Sequence, residues 1–321
     1  MTLLKRRKIG IDLGNLYLKG VIRDLQTGEI IKKKIANKIT TEVDINTKSR
    51  KLQRDGNVIY IGSGSLNNNI LKHTRNHILD QILVMTSELT TEECVRISLA
   101  LGLPATQLNN ESYKANFLDQ IILDKEIEFR VNDSYKKVII ENVEVYYEGY
   151  SAFYKLINEG EFDDNLLVID AGGGTIDCCS YKYDIDDETH NPVKTHTVEK
   201  GAINLIEELR QYINKEIEGN IPFEVIDDCI RSDKGTFKYK NNEYKLDDYI
   251  HSIETTVDNI MNNIDNKYEG LDNYQIVFVG GAAKLLKIHA SKKVANEFKI
   301  DADQAFYANA EGYLEQLEDE E

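Results

Sequence analysis

A glycine-rich turn inside the segment from Leu166 to Tyr181 limits the possible folds of this chain more than any other feature. An apolar run ends at Asp170, a run of glycines begins two positions later, and a second run of alternating polarity begins at Thr175. This pattern predicts two strands joined by a tight turn. Because glycine has no side chain, the backbone N–H groups of such a turn can closely approach a phosphate. Taken alone, most glycine-rich hairpins are only turns.

The same pattern occurs near the N-terminus, from Lys8 to Gly20. There an apolar strand ends at Asp12, and a glycine stands two positions later, as it does after Asp170. Each aspartate is followed seven positions later by a charged residue, which is Lys19 in the first copy and Asp177 in the second. This internal repeat implies two similar halves. Two facing hairpins of this kind could bind one polyphosphate and its metal ion from both sides, whereas two unrelated hairpins are the simpler alternative.

Composition argues against several classes of function. Lys and Arg number 39 against 55 Asp and Glu, which gives a net charge of −16 and disfavours direct binding to nucleic acid or to an anionic membrane. The four cysteines lack zinc-site spacing, and the adjacent Cys178 and Cys179 are expected on opposite faces of a strand. They are predicted to be reduced thiols of a cytoplasmic protein. No signal peptide is expected, and no segment approaches the roughly 20 apolar residues of a membrane span.

Predicted strands and helices alternate along the chain, which indicates the α/β class. A length of 321 residues suffices for two domains or one large one. Polar composition predicts exposed loops at residues 37–55 and 184–191. A helix is expected from about Glu148 to Asn158, with Gly160 ending it.

A second pair of glycines lies in the segment from Val277 to Leu285, where a buried strand is followed by a short helix. Gly280 and Gly281 would let a base or ribose lie against the backbone, and the helix N-terminus adds positive potential. Glycines that serve only to pack a strand–helix corner are an equally good explanation.

Several charged residues are further candidates for a nucleotide site. Glu148 could polarise the water that attacks a γ-phosphate, although a carboxylate in a first helical turn is favoured by the helix dipole alone. Lys19 could reach the β- and γ-phosphates as a point charge. The helix that begins after Lys200 and Gly201 could wall a nucleoside with Glu207 or Glu208. Lysines on strands and acids on helices are otherwise commonly solvated.

Together and in this order, these segments resemble the actin-like ATPase superfamily. The first phosphate motif matches IGIDLGNLYLK, the second VIDAGGGTID, and the adenosine motif VFVGGAAKL. Glu148 begins the helix of the first connecting segment, and FYANAEGYL, from Phe306 to Leu314, corresponds to the second. The resemblance covers nearly the whole chain and is strongest to plasmid-segregation actins of the ParM/StbA type.

The resemblance implies an actin-like fold, which is a duplicated ribonuclease H-like α/β fold with two lobes around a nucleotide cleft. Domain I would comprise residues 1–160, completed by the C-terminal helix 304–321, and domain II would comprise residues 161–303. Asp12 and Asp170 would hold the water shell of Mg²⁺, and Asp170 and Glu148 would orient the attacking water. The residues expected to bind ATP or GTP are Gly14, Asn15, Leu16, Lys19, Gly172, Gly173, Gly174, Thr175, Lys200, Gly201, Glu207, Gly280, Gly281 and Ala282.

One residue departs from the pattern of the resemblance. Many relatives have Ser or Thr where this chain has Asn15. An amide can still donate to a phosphate oxygen, but its reach differs from that of a hydroxyl.

The function implied by the resemblance is that of a bacterial actin. Such a protein polymerises into dynamic filaments with Mg²⁺ and nucleotide, hydrolyses the nucleotide and drives plasmid DNA segregation. A ParR-like adaptor on a centromere-like plasmid site would bind the DNA, so that the filament itself contacts neither nucleic acid nor membrane. A small-molecule kinase of the sugar type and a non-polymerising actin-fold scaffold ATPase are the alternatives, because fold alone does not fix function.

Overall fold

The computed structural model describes residues 5–43, 48–67, 69–159, 164–186, 189–232, 235–290, 294, 296–300 and 302–320. The chain divides into two compact units, Met1–Phe162 with Phe306–Glu321, and Asp163–Ala305. Each unit is organised around one large mixed sheet. The predicted helix end at Gly160 lies outside the described residues. Among these residues, no helix is both long enough and apolar enough to cross a membrane.

The described strands and helices interleave along the chain, as predicted. The strands are β1 (Lys5–Leu13), β2 (Tyr17–Arg23), β3 (Ile30–Ala36), β4 (Lys38–Thr40), β5 (Arg50–Arg54), β6 (Asn57–Ile61), β7 (Ser65–Leu66), β8 (Cys94–Leu103), β9 (Glu126–Val131), β10 (Ser134–Tyr147), β11 (Leu166–Ala171), β12 (Ile176–Asp184), β13 (Thr189–Val198), β14 (Thr236–Tyr239), β15 (Asn242–Lys245), β16 (Gln275–Val279) and β17 (Glu297–Phe298). The α-helices are α1 (Ile78–Leu89), α2 (Ala105–Leu108), α3 (Glu111–Leu118), α4 (Tyr150–Glu159), α5 (Ala202–Glu216), α6 (Phe223–Arg231), α7 (Glu254–Tyr268), α8 (Ala283–Ala290) and α9 (Ala302–Asp319).

The sheet of the first unit has the strand order β3-β2-β1-β8-β10-β9-β5-β6-β4-β7. Strand β1 pairs antiparallel with β2 and parallel with β8, which places it inside the sheet. Helix α1 covers one face, where Gly20 leaves room for Met85. Helix α9 covers the other face, where a side chain at Gly10 would collide with the carbonyl of Ala310. The end of β1 at Asp12 is therefore held rigidly from both faces.

The sheet of the second unit has the strand order β13-β12-β11-β16-β17. Strand β11 is buried along its whole length, pairs antiparallel with β12, and pairs parallel with β16. Its near-continuous apolar sequence is typical of a strand that is covered on both faces. Helix α8 packs on β11 and β16, and α7 contacts β13. The order β13-β12-β11-β16 repeats the order β3-β2-β1-β8 of the first unit, so the predicted internal repeat is confirmed in the topology.

Both predicted loops are partly wrong, because segments rich in polar residues also form strands. Residues 37–55 include β4 and β5, whose side chains are mostly half-buried. Residues 184–191 include the end of β12 and the start of β13. Many positions in these strands are half-buried or exposed, so their sequences lack the apolar run on which the strand predictions depended.

Candidate nucleotide-binding site

The turn between β1 and β2 in the first unit consists of Gly14, Asn15 and Leu16. Two carbonyl groups of this turn accept hydrogen bonds from Asn37. Asn37 donates its side-chain amide to the Gly14 carbonyl at 2.6 Å and its backbone N–H to the Leu16 carbonyl at 2.8 Å. Asn37 is fully buried, and it accepts a hydrogen bond in turn from Gln81 of α1 at 2.6 Å. The turn is therefore fixed before any ligand binds.

The same turn carries three consecutive backbone N–H groups, those of Gly14, Asn15 and Leu16. Among the described residues, none accepts a hydrogen bond from the backbone nitrogens of Gly14, Asn15 or Leu16. Asn15 and Leu16 are buried and Gly14 is half-buried. Because buried backbone N–H groups are nearly always paired, successive unpaired ones mark a place where an anion can bind.

Asp12 lies directly beside this turn and is surrounded by cations. Its Oδ2 is 2.7 Å from Lys19 Nζ and its Oδ1 is 3.8 Å from Lys72 Nζ. Burial by itself would raise the pKa of Asp12, but Lys19, Lys72 and Arg75 outweigh burial and hold this pKa below the usual 3.8. Asp12 is therefore charged at neutral pH.

Glu148 lies in the turn between β10 and α4, rather than in the helix itself. The prediction that Glu148 begins the helix is wrong, because α4 starts at Tyr150 and Gly149 has a φ of 79°. A helix dipole acting on the first turn is therefore not the reason for a carboxylate here. Its carboxylate forms a short ion pair with Lys72, which also lies beside Asp12. Lys72 thus contacts both acidic candidate site residues of the first unit, Asp12 and Glu148.

Arg75 completes the charged cluster. Its guanidinium is 2% exposed and donates to the Leu13 carbonyl at 2.6 Å and to the Asn69 carbonyl at 2.7 Å. Burial lowers the pKa of Arg75 to about 10, against the opposing effect of Glu148 and Asp12, so that the guanidinium stays charged at neutral pH. Lys19, Lys72 and Arg75 provide three positive charges against the two carboxylates. The cluster therefore carries a net positive charge next to the unpaired N–H groups, although the chain as a whole is strongly acidic.

The depressed pKa of Asp12 predicts a pH dependence of stability. A carboxylate with a lowered pKa stabilises the fold above its unfolded pKa, and this contribution is lost as the pH falls through its folded pKa. We expect the difference in unfolding free energy between the wild type and Asp12→Asn to be largest above about pH 5 and to shrink towards about pH 2. Urea unfolding over this pH range measures the difference, and a constant difference would contradict the assignment.

The glycine turn of the second unit is held by the start of α5. The carbonyls of Gly172 and Gly173 accept hydrogen bonds from the backbone of Ala202 and Ile203, both at 2.9 Å. A side chain at Gly201 would lie 2.7 and 2.6 Å from these two carbonyl oxygens, so only glycine permits this approach. The predicted residue Gly201 therefore supports the turn from behind.

The second turn also carries three consecutive backbone N–H groups, those of Gly173, Gly174 and Thr175. Within the described part of the chain, no acceptor is paired with the backbone nitrogens of Gly173, Gly174 or Thr175. The hydroxyl of Thr175 donates to Asp177 at 2.8 Å, and Thr197 donates to the other oxygen of Asp177 at 2.6 Å. In both turns, carbonyls accept hydrogen bonds from a neighbouring segment, and three consecutive N–H groups have no acceptor among the described residues.

Asp170 lies on β11 directly before this turn and is 6% exposed. Gly280, with a φ of 85°, follows the neighbouring strand β16, and any side chain there would collide with Asp170 Oδ1. Gly280 therefore keeps the space beside the Asp170 carboxylate open. Ala282 donates its N–H to the Ala171 carbonyl at 2.9 Å, which ties the predicted adenosine segment to the end of β11.

Gly281 lies beside the guanidinium of Arg231, at the end of α6. Arg231 donates to the Gly281 carbonyl at 3.4 Å and to Asp227 at 2.8 Å. A planar guanidinium held in this way can stack on an aromatic base.

Lys200 is exposed directly before α5, and Glu207 pairs with Arg210 one turn further along the same helix at 2.6 Å. Neither Lys200 nor Glu207 has a described contact with the glycine turn.

Sequence reasoning missed Lys72, Arg75 and Asn37. All three are polar residues, and nothing in the sequence around them distinguishes them from surface residues. Lys72 lies in a single 3₁₀ turn, Lys72–Thr74, and Arg75 follows that turn. Their burial, at 3% and 2% exposure, is what separates them from ordinary surface cations.

The residues also fit a magnesium ion bound through phosphate. The described residues contain no group of three or more metal-ligating side chains that could hold a metal by themselves. Mg²⁺ does not require such a group, because it keeps several waters and is commonly held by one or two carboxylates together with phosphate oxygens. Asp170 and Asp12 are carboxylates of the required kind, each adjacent to one of the two turns.

Two protein-family models match the sequence of this chain. The family model for the N-terminal domain of actin like proteins matches residues 10–150, and the model for the C-terminal domain of the archaeal actin homologue, MreB-like, matches residues 168–292. No curated protein matches the chain by sequence.

Solved structures resemble the chain over nearly its whole length. The archaeal actin homologue Ta0583 has a TM-score of 0.78 at 18% identity and covers 98% of this chain and 99% of its own. A 15-stranded ParM filament from Clostridium botulinum has a TM-score of 0.70 at 18% identity and covers 98% and 100%. Bacillus thuringiensis ParM with ATP has a TM-score of 0.70 at 16% identity and covers 99% and 100%. At these identities the similarity concerns the fold.

Proposed function

The chain belongs to the actin-like superfamily and has its α/β fold, and from this premise we propose that it is a filament-forming nucleoside triphosphatase. The observation that carries the proposal is the pair of equivalent turns, each with tied carbonyls and three N–H groups without an acceptor among the described residues. Phosphate groups of ATP or GTP are the ligands that such turns bind. A turn with a purely structural role would have no reason to leave these groups unpaired.

In the first unit, the proposed role of the charged cluster is to bind the outer phosphates. Lys19 and Lys72 supply positive charge beside the unpaired N–H groups, and Asp12 contributes to the water shell of Mg²⁺. Glu148 orients the attacking water. Because catalysis of phosphoryl transfer depends mainly on positioning and charge stabilisation, these few groups suffice.

In the second unit, the N–H groups of Gly173, Gly174 and Thr175 are proposed to bind phosphate oxygens. Asp170 would hold water molecules of Mg²⁺ and help to orient the attacking water. The backbone of Gly280, Gly281 and Ala282 would lie against the nucleoside. Lys200, Gly201 and Glu207 would form the wall of this pocket, with Gly201 acting through the turn that it supports.

The proposed biological role is plasmid DNA segregation by dynamic filaments. Its support is the likeness of the whole chain to ParM proteins, one of which forms a 15-stranded filament. The net charge of −16 favours DNA attachment through a ParR-like adaptor on a centromere-like site over direct contact.

The four cysteines, all free thiols, are in keeping with a cytoplasmic location. Residues 1–160 with 304–321 are proposed as domain I and residues 161–303 as domain II.

Polymerisation tests the proposal directly. Purified protein with Mg²⁺ and ATP, or with Mg²⁺ and GTP, is expected to form polymer that scatters light and sediments on ultracentrifugation. The polymer should disassemble as phosphate is released, because hydrolysis removes the ligand that favours the polymerising state. EDTA in place of Mg²⁺ is the matched control. The proposed function would be contradicted if the protein neither bound nor polymerised with ATP and also neither bound nor polymerised with GTP.

A further inference from the structure

We propose that Arg75 is a positioning residue, which orients the side-chain amide of Asn15 so that the NH₂ group of this amide donates a hydrogen bond to a phosphate of the nucleotide. This inference rests on the proposed function. In the structure, Arg75 Nη2 donates a short hydrogen bond to Asn15 Oδ1.

The chemistry of the two groups fixes the orientation of the amide. A guanidinium carries only hydrogen-bond donors, so only the oxygen of the Asn15 amide can face Arg75. The NH₂ group must then point to the other side. Among the described residues, none accepts a hydrogen bond from Asn15 Nδ2, although the residue is only 8% exposed.

Arg75 is itself unable to turn. Its Nε donates to the Asn69 carbonyl at 2.7 Å and its Nη1 donates to the Leu13 carbonyl at 2.6 Å. These two backbone acceptors and Asn15 Oδ1 occupy three directions of one planar group, and the side chain is 2% exposed. The amide is therefore held against a rigid partner before a ligand arrives.

The surroundings of Asn15 Nδ2 determine which ligand it can take. The same turn presents the backbone N–H groups of Gly14, Asn15 and Leu16, and Lys19 lies two residues beyond Tyr17 on β2. A ligand at this turn thus meets donors, and it must supply acceptor oxygens. A phosphate supplies them, and its hydrogen bonds are charge-assisted. A serine hydroxyl could either donate or accept, whereas the amide fixed by Arg75 can only donate.

An Asn15→Asp variant tests the donor role. Aspartate has the same shape and still accepts from Arg75, but it places an anionic oxygen where the NH₂ group was. We expect the affinity for ATP or GTP, measured by titration calorimetry, to fall by about 10- to 100-fold, because one charge-assisted hydrogen bond is replaced by repulsion. The melting temperature should be unchanged or higher. Unchanged affinity would overturn the inference, whereas a wild type that binds neither nucleotide would instead overturn the proposed function.

A double-mutant cycle separates positioning from structural support. Arg75→Lys should weaken nucleotide binding about fivefold or more in the wild-type background and less than about twofold in an Asn15→Ala background, because Arg75 acts through Asn15. A purely structural role would give the same loss in both backgrounds and would contradict the inference. Arg50→Lys is the matched control, since Arg50 pairs with Glu88 at 2.5 Å and is not part of the turn.

Discussion

A Glu148→Gln variant is expected to hydrolyse nucleotide at least about a hundredfold more slowly than the wild type, while it binds nucleotide with nearly the same affinity. Glutamine keeps the size of the side chain but loses the negative charge that we propose polarises the attacking water. In the structure, Glu148 forms an ion pair with Lys72 beside Asp12 and lies in a turn between β10 and α4. The change therefore removes the charge of the proposed catalytic carboxylate without altering a strand or a helix.

Phosphate release and sedimentation measure this effect together. Filaments of Glu148→Gln should form with nucleotide and last longer than those of the wild type, because the step that destabilises them is slowed. Glu144→Gln is the matched control, since it removes one negative charge from β10, where Glu144 accepts from Asn142 at 3.1 Å. Normal turnover with shortened filaments in Glu148→Gln would show that Glu148 does not orient the water.

A Lys72→Met variant is expected to lose about 3 kcal/mol of unfolding free energy, because it removes the buried cation that pairs with Glu148 and lies beside Asp12. Lys72 is 3% exposed and contacts both Glu148 and Asp12. Methionine has a similar length and fits the same space, so the loss reports charge more than packing. Urea unfolding followed by circular dichroism measures the change.

The origin of this loss can be checked by a second substitution. Lys72→Met combined with Glu148→Gln should recover part of the lost free energy, because the remaining carboxylate, Asp12, still pairs with Lys19 at 2.7 Å. Lys137→Met is the control: it removes a lysine that pairs with the exposed Glu126 at 2.8 Å, and it should cost less than about 1 kcal/mol. Equal losses at Lys72 and Lys137 would show that the buried cluster is not held by charge.

Topology was the part of the fold that the sequence predicted best. The apolar runs before Asp12 and Asp170 predicted buried strands, since a strand covered on both faces must be apolar throughout. The equal spacing of the glycines after these aspartates predicted two equivalent hairpins, and the matching strand orders confirm them. Prediction failed at residues 37–55 and 184–191, where half-exposed strands carry polar residues that resemble loops.

By itself, the sequence determined the two hairpins, their acidic strand ends and the glycines of their turns, because these properties depend on residues that are neighbours in the chain. The tertiary structure alone decided what surrounds the first turn. It brings Arg75 against Asn15 over a sequence separation of 60 residues, and Lys72 against Glu148 over 76. Such pairs leave no local pattern, since a buried cation differs from a solvated one only in what the rest of the chain places around it.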